Sequence, residues 1–219
     1  MKKLFTIESS FIQKYDILCK GQYGFRKNHS TQLPLMNFMD KLTKAIDKNE
    51  YVVSLFIDLS KAFDTIDYAI LLKKLYCYGI RGVAYDIIKN YLTNRLHFVA
   101  IHGYNSSTLP VNLGVPQGSI LGSILFLLYI NDIHRTSLIL SFILFADDTT
   151  ILFSSKDLKT LFDTINKELI SLSVWFRVNK LSVNISKTNY ILFKSCKVTS
   201  SHPDLLLDQQ PVKQVGWLN

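Results

Sequence analysis

The stretch Ser137-Leu138-Ile139-Leu140-Ser141-Phe142-Ile143-Leu144-Phe145-Ala146-Asp147-Asp148-Thr149-Thr150-Ile151-Leu152-Phe153 places two adjacent carboxylates between two β-rich apolar runs. β-Branched and aromatic residues favour strands, and aspartate tolerates turn geometry. The stretch therefore predicts a strand over Ser137 to Ala146, a tight turn with Asp147-Asp148 at its tip, and a returning strand over Thr149 to Phe153. An aspartate doublet at a hairpin tip is ordinary turn chemistry by itself. Its weight changes with Phe56-Ile57-Asp58, where a second acid closes the β-rich run Tyr51 to Ile57. Buried strands rarely end in an acid without cause.

Working outward, Leu35, Phe38, Met39, Leu42 and Ile46 recur at helical spacing between Thr31 and Asn49. Asp67 caps a helix to Tyr78, and a second helix over Val83 to Leu92 follows the stop and restart signals Gly79 and Gly82. Leu96 to His102 and Thr108 to Leu113 read as strands flanking the turn residues Gly103 to Ser107. Ser119 caps an apolar helix to Asp132. After the hairpin, Leu158, Leu161, Phe162, Ile165, Leu169, Leu172 and Phe176 mark one face of a long helix, and a last strand runs from Tyr190 to Phe193. This order predicts an α+β fold, an antiparallel sheet packed by helices on one face.

At 219 residues with 48% hydrophobic content, the chain can fill the core of one large domain or two small ones. Twenty-five Lys plus Arg against seventeen Asp plus Glu leave a charge of +8, which suits phosphate-bearing polymers and also plain solubility. Cys19, Cys77 and Cys196 are odd in number and widely spaced, which argues against a disulfide framework or a zinc site. Met1-Lys2-Lys3 leads into Thr6, Glu8, Ser9 and Ser10 rather than an apolar segment, so no signal peptide is expected and the protein is expected inside the cell. The apolar runs Ile120 to Ile130 and Leu138 to Ala146 fall short of the roughly 20 residues a membrane helix needs, so both read as core and no membrane partner is expected.

If the strands ending at Asp58 and Ala146 are sheet neighbours, Asp58 and Asp147 meet at one edge, where carboxylates repel unless a cation lies between them. Magnesium suits such a place, being held by one or two carboxylates plus substrate phosphates. Two ions roughly 4 Å apart can activate a hydroxyl and stabilise a leaving oxygen in phosphoryl transfer, so the acids point to nucleotidyl transfer.

Phe56-Ile57-Asp58 through Phe63-Asp64, Gly114-Val115-Pro116-Gln117-Gly118-Ser119-Ile120-Leu121-Gly122 and Phe145-Ala146-Asp147-Asp148-Thr149 resemble reverse-transcriptase palm motifs A, B and C, in that order. Their wording is similar to that of non-LTR retrotransposons of the jockey-like or LINE type. Gln22-Tyr23-Gly24-Phe25-Arg26-Lys27 with Ser30-Thr31 resembles that family's fingers segment, and Asn184 to Phe193 its motif D. The resemblance implies an RNA-directed DNA polymerase with a palm, partial fingers and no thumb.

By residue, the resemblance implies catalytic and metal-binding roles for Asp58, Asp147 and Asp148, with Leu59 offering its backbone carbonyl. Asp147 is the stronger ligand of the doublet. Nucleotide contacts fall to Lys61, Ala62, Phe63, Gln117, Gly118 and Lys187, with Phe63 excluding a ribose 2′-hydroxyl. Phe63 also reads as a core aromatic, and Lys61 and Lys187 as solvated charges. Template and primer contacts fall to Pro116, Gly118 and Ala146. The implied cofactor is a pair of Mg²⁺ ions, with Mn²⁺ as a substitute. The implied partners are an RNA template, a DNA primer and deoxynucleoside triphosphates, in the nucleus or a ribonucleoprotein.

The corresponding domain division is 1–50 partial fingers, 51–66 palm, 67–106 helical hairpin and strands, 107–195 palm, and 196–219 a truncated C-terminal segment. Ser123 departs from the family's usual proline, a tolerated change at the start of the helix. The upstream fingers strands, thumb and endonuclease are expected to be missing, which leaves an inactive fragment open. A silent nucleic-acid-binding remnant, an RNA-dependent RNA polymerase and an intron-type maturase stay as alternatives.

Overall fold

The β-rich run Tyr51 to Ile57 forms the central strand of the computed structural model, which describes residues 11–93, 95–116, 118–194 and 202–216. In chain order the elements begin with α1 (Gln32–Asp47), β1 (Tyr51–Ile57), α2 (Tyr68–Cys77) and α3 (Gly82–Leu92). The short strands β2 (Arg95–His97), β3 (Ala100–Ile101), β4 (Tyr104–Asn105) and β5 (Leu109–Val111) follow, and then α4 (Ile120–Ile130). After a 3-10 turn at Ile133–Thr136 come β6 (Ser141–Phe145), β7 (Asp148–Ser155), α5 (Leu158–Val178) and β8 (Asn189–Phe193). Three two-residue strands close the series, β9 (Leu206–Leu207), β10 (Gln210–Pro211) and β11 (Lys213–Gln214).

The described residues fall into two compact units, drawn from Met1–Leu18 with Lys61–Ile130 and from Cys19–Ser60 with Asn131–Asn219. The second unit holds a five-stranded sheet in the order β11-β8-β1-β7-β6. All its pairings are antiparallel except that of β11 with β8. β1 is central, and Val52, Val53, Ser54 and Leu55 are all buried. Fully burying an aliphatic side chain of this size contributes about 1.5–3 kcal/mol, so β1 anchors the unit.

Successive strand residues point to opposite faces. Tyr190 meets Phe162 of α5 at 6.0 Å between ring centroids, while Ile191 packs with Leu42 and Ala45 of α1. The α+β class and the antiparallel sheet packed by α5 are as expected, and α1 adds a helix on the second face. The predicted apolar stripe of α5 is buried, and the Asp157 carboxylate caps its start by accepting from the Thr160 N–H at 2.7 Å.

In the first unit α2 packs on α3 and α4. Asp67 caps α2 as predicted, accepting from the Ile70 N–H at 3.0 Å. Ser119 caps α4 by accepting from the Gly122 N–H at 2.9 Å. Leu121 and Ile124 through Ile130 are buried, so the apolarity of α4 serves packing. Among the described residues no helix is long and apolar enough to cross a membrane.

Three local expectations change. The predicted strands Leu96 to His102 and Thr108 to Leu113 resolve into two nested hairpins, β2 with β5 and β3 with β4. The turn is His102-Gly103 rather than Gly103 to Ser107, because both residues take positive φ, 49° and 84°, which suits a two-residue hairpin turn. β6 starts at Ser141 rather than Ser137, and the last β6–β7 pair is Phe145 with Asp148. The tip is therefore Ala146-Asp147, and Asp148 is already a strand residue. Finally, β8 is not the last strand, since β9, β10 and β11 follow within the nominal C-terminal segment.

Candidate active site

The antiparallel register sets Ile57 opposite Thr149. Asp58, just past β1, and Asp148, first in β7, consequently reach the same end of the sheet. Together with Phe56, Ile57, Thr149, Thr150 and Lys187 they line an open cleft of about 340 Å³. Asp147 is half-buried in the adjoining turn and does not line the cleft. Its charge nevertheless reaches Asp148. Partial burial of the Asp148 carboxyl, then the negative charges of Asp147 and Asp58, hold it above the usual carboxylate range, although the residue as a whole is exposed.

Main-chain contacts fix Asp58. Its N–H donates to the Thr188 hydroxyl at 3.3 Å, and its carbonyl accepts from the Asn184 N–H at 2.8 Å. The Ser60 N–H donates to Ser182 O at 2.8 Å, which completes an isolated antiparallel bridge between Leu59 and Val183. In this pairing the bonds flank the bridged residues, so the Leu59 carbonyl is turned away from Val183. Sequence reading gave no role of its own to Thr188, which is fully buried and lies within the motif D stretch just before the last predicted strand.

A carboxyl whose pKa is raised on folding holds its proton more tightly in the folded chain. Its stability contribution is present at acid pH and lost as pH rises through the folded value. Asp148→Asn is therefore expected to raise Tm at neutral pH without divalent cations, and the gain should vanish below about pH 4, where the unfolded aspartate is itself protonated. A gain of equal size at both pH values, measured by thermal melts, contradicts a cluster of mutually repelling acids.

The donor set fits magnesium. It is all oxygen, and Asp148 feels the negative charges of Asp147 and Asp58 beside it. Among the described residues no group of three His, Cys, Asp or Glu is gathered closely enough to hold an ion by itself.

Of the remaining candidates, Ala146 lies in the hairpin turn of the second unit and is buried, while Lys61, Ala62, Phe63, Pro116 and Gly118 lie in the first unit. Phe63 is half-buried and stacks on the buried Phe126 at 4.4 Å between centroids. Lys61 is exposed with φ 49°, and its carbonyl accepts from the Asp64 N–H at 2.9 Å. Ala62 is buried. The motif B stretch runs beside motif A: the Gly114 N–H donates to Ile66 O and the Val115 N–H to Phe63 O, both at 2.9 Å. The Tyr68 hydroxyl, another residue missed in the sequence, pins this stretch by donating to the Leu113 and Gly114 carbonyls at 3.0 and 2.9 Å. Pro116 O accepts from the Ser119 hydroxyl at 2.8 Å, and Gly118 is exposed with φ 76°. Gln117 lies outside the described residues.

The family profile "Reverse transcriptase (RNA-dependent DNA polymerase)" matches residues 2–218. The chain is 30% identical over 209 residues to the probable RNA-directed DNA polymerase from transposon X-element of Drosophila melanogaster, covering 94% of this chain and 23% of that protein. It is 28% identical over 211 residues to the RNA-directed DNA polymerase from mobile element jockey of the same organism, covering 90% and 23%. The chain thus spans about a quarter of the length of these curated relatives. Among solved structures, telomerase from Candida albicans in complex with a fragment of telomeric RNA superposes with a TM-score of 0.66 at 13% identity, covering 94% of this chain and 36% of that one. That likeness speaks to the fold alone. The profile runs through the acids, the Gly114 stretch and Lys187, and the transposon relatives match nearly the whole chain, so the chain belongs to the reverse transcriptase (RNA-dependent DNA polymerase) family.

Proposed function

We propose that the chain is the polymerising core of a retrotransposon reverse transcriptase, joining deoxynucleotides to a primer 3′-hydroxyl on an RNA template. The observation that carries this reading is the convergence of Asp58, Asp148 and Lys187 in one open cleft, with Asp147 in the turn beside it. Asp58, Asp147 and Asp148, aided by the Leu59 carbonyl, would hold two magnesium ions, for which manganese could substitute. When bound, such ions would supply hydroxyl activation and charge stabilisation at the leaving oxygen. Lys187 gives a proton to departing pyrophosphate. Lys61, Ala62, Gln117 and Gly118 take the incoming nucleotide, and Pro116, Gly118 and Ala146 contact template and primer. In the same reading residues 1–50 act as partial fingers, while 51–66 and 107–195 make up the palm.

Phe63 selects deoxyribose. Its stack on Phe126 supports this, because a sugar-excluding ring must be held rigidly with one side open. Phe63→Ala is expected to raise ribonucleotide relative to deoxynucleotide incorporation by about tenfold or more, the scale of a steric pocket effect. An unchanged ratio in competitive incorporation removes the role.

The reading is tested by incubating the chain with a DNA primer annealed to an RNA template, with magnesium and deoxynucleotides. Extension that stops when the metal is chelated is the expected result. Tight binding of the duplex without extension points instead to a nucleic-acid-binding remnant.

A further inference from the structure

Residues Gly21 to Tyr23 lie along the outer edge of β6. The Leu144 N–H donates to Gly21 O and the Tyr23 N–H to Leu144 O, both at 2.8 Å, so Gln22 bridges Leu144 in parallel. Gln22 is 1% exposed. Its Oε1 accepts two backbone N–H groups, from Gly24 at 2.8 Å and from Ala146 at 3.2 Å. Its Nε2 is buried without a partner among the described residues. A buried unpaired donor costs about 1–3 kcal/mol, so this geometry favours the two accepted bonds over full satisfaction of the amide.

What the amide holds is the turn that carries Asp147. Ala146 is buried and has φ 57°, a left-handed conformation that costs a side-chain-bearing residue about 1–2 kcal/mol. In a two-residue hairpin the first turn residue's N–H finds no partner in the ladder, so a buried one needs an acceptor from elsewhere. Gln22 supplies it. The approach is close: a Cβ at Gly24 would lie 2.2 Å from Ala146 N and 2.9 Å from its Cα. Glycine is thus required where this segment meets the turn. The segment is itself secured, with the Arg26 guanidinium donating to Gln22 O at 3.1 Å and the Cys19 N–H donating to Asn131 Oδ1 at 2.7 Å.

We infer that Gln22 is a positioning residue for the acid centre: its neutral amide fixes the Ala146-Asp147 turn and so sets where Asp147 stands relative to Asp58 and Asp148. What the turn needs from this position is an acceptor oxygen, and the amide supplies one without adding a negative charge near the acids. The inference rests on the proposed polymerase reading for its catalytic meaning and on the turn geometry for its structural one.

The test compares the wild-type chain with Gln22→Met, which keeps the length of the side chain and removes the acceptor. Amide hydrogen exchange at Ala146 is expected to speed up by about tenfold, the equivalent of one hydrogen bond, while Leu144, bonded to Gly21 O, keeps its rate. In primer extension kcat is expected to fall by about tenfold with the KM for primer and template unchanged, the signature of lost transition-state positioning. Unchanged exchange at Ala146, or acceleration shared equally by every sheet amide, overturns the inference, as does an unchanged kcat. If the methionine variant does not fold, Gln22→Glu keeps the acceptor, and Ala146 must stay as protected as in the wild type; loss of protection there overturns the inference. Exchange needs neither nucleotide nor metal. A wild-type chain that extends no primer therefore counts against the function alone, while Ala146 still decides the role of Gln22 in the turn.

Discussion

Asp58→Ala is expected to lower primer extension by about a thousandfold or more, because charge stabilisation held at a metal is worth several kcal/mol and each 1.4 kcal/mol is a factor of ten. The fold should survive the change. What ties Asp58 to its neighbours is its main chain, through the Thr188 hydroxyl and the Asn184 N–H, and alanine retains both bonds. Removing the carboxylate also relieves Asp148 of one of the two like charges that hold its pKa up. Thermal melts should accordingly show a Tm no lower than that of the wild type, and Asp148 should titrate closer to the ordinary carboxylate range. Extension near the wild-type rate removes Asp58 from the centre. Loss of extension together with unfolding assigns it a structural role instead.

The largest stability effect is expected at Gly114. It has φ 79°, and a Cβ built there lies 2.7 Å from Asp64 O and 2.8 Å from Asp64 Cα. Those atoms are backbone and cannot swing aside. The same residue donates its N–H to Ile66 O and accepts from the Tyr68 hydroxyl, so it cannot move without breaking the seam between motifs A and B. Left-handed strain and overpacking each cost about 1–3 kcal/mol, so Gly114→Ala should destabilise the chain by about 3 kcal/mol or more. Gly118 is the control. Its φ is nearly the same, 76°, but no atom of the described residues lies within 4 Å of its would-be Cβ, so only the strain applies. Denaturant unfolding of the two variants should separate them, and equal losses contradict the close approach to Asp64.

Long periodic segments were legible. The buried face of α5, the Asp67 and Ser119 caps and the all-apolar α4 emerge where the pattern predicts them, because each repeats one physical signal over several turns. The two acid-bearing strands were also legible, and pairing sets Asp58 and Asp148 at one end of the sheet. The turn shifted by one residue because Ala146, not an aspartate, takes the left-handed position. Local propensity favours aspartate there, and contacts from Gln22 and Gly24, more than a hundred residues earlier, override it. Strands of two residues, such as β9 to β11, are too short to carry a period. Thr188 and Tyr68 act through single hydroxyls that reach across the fold, and no local pattern marks such a partner.

Nucleotidyl transfer by Asp58, Asp148 and the adjoining Asp147 is probed by extension of a DNA primer on an RNA template by the wild-type chain and by Asp147→Ala, side by side with magnesium and deoxynucleotides. The account predicts incorporation by the wild type and none above background by the variant. Equal incorporation by both would contradict it.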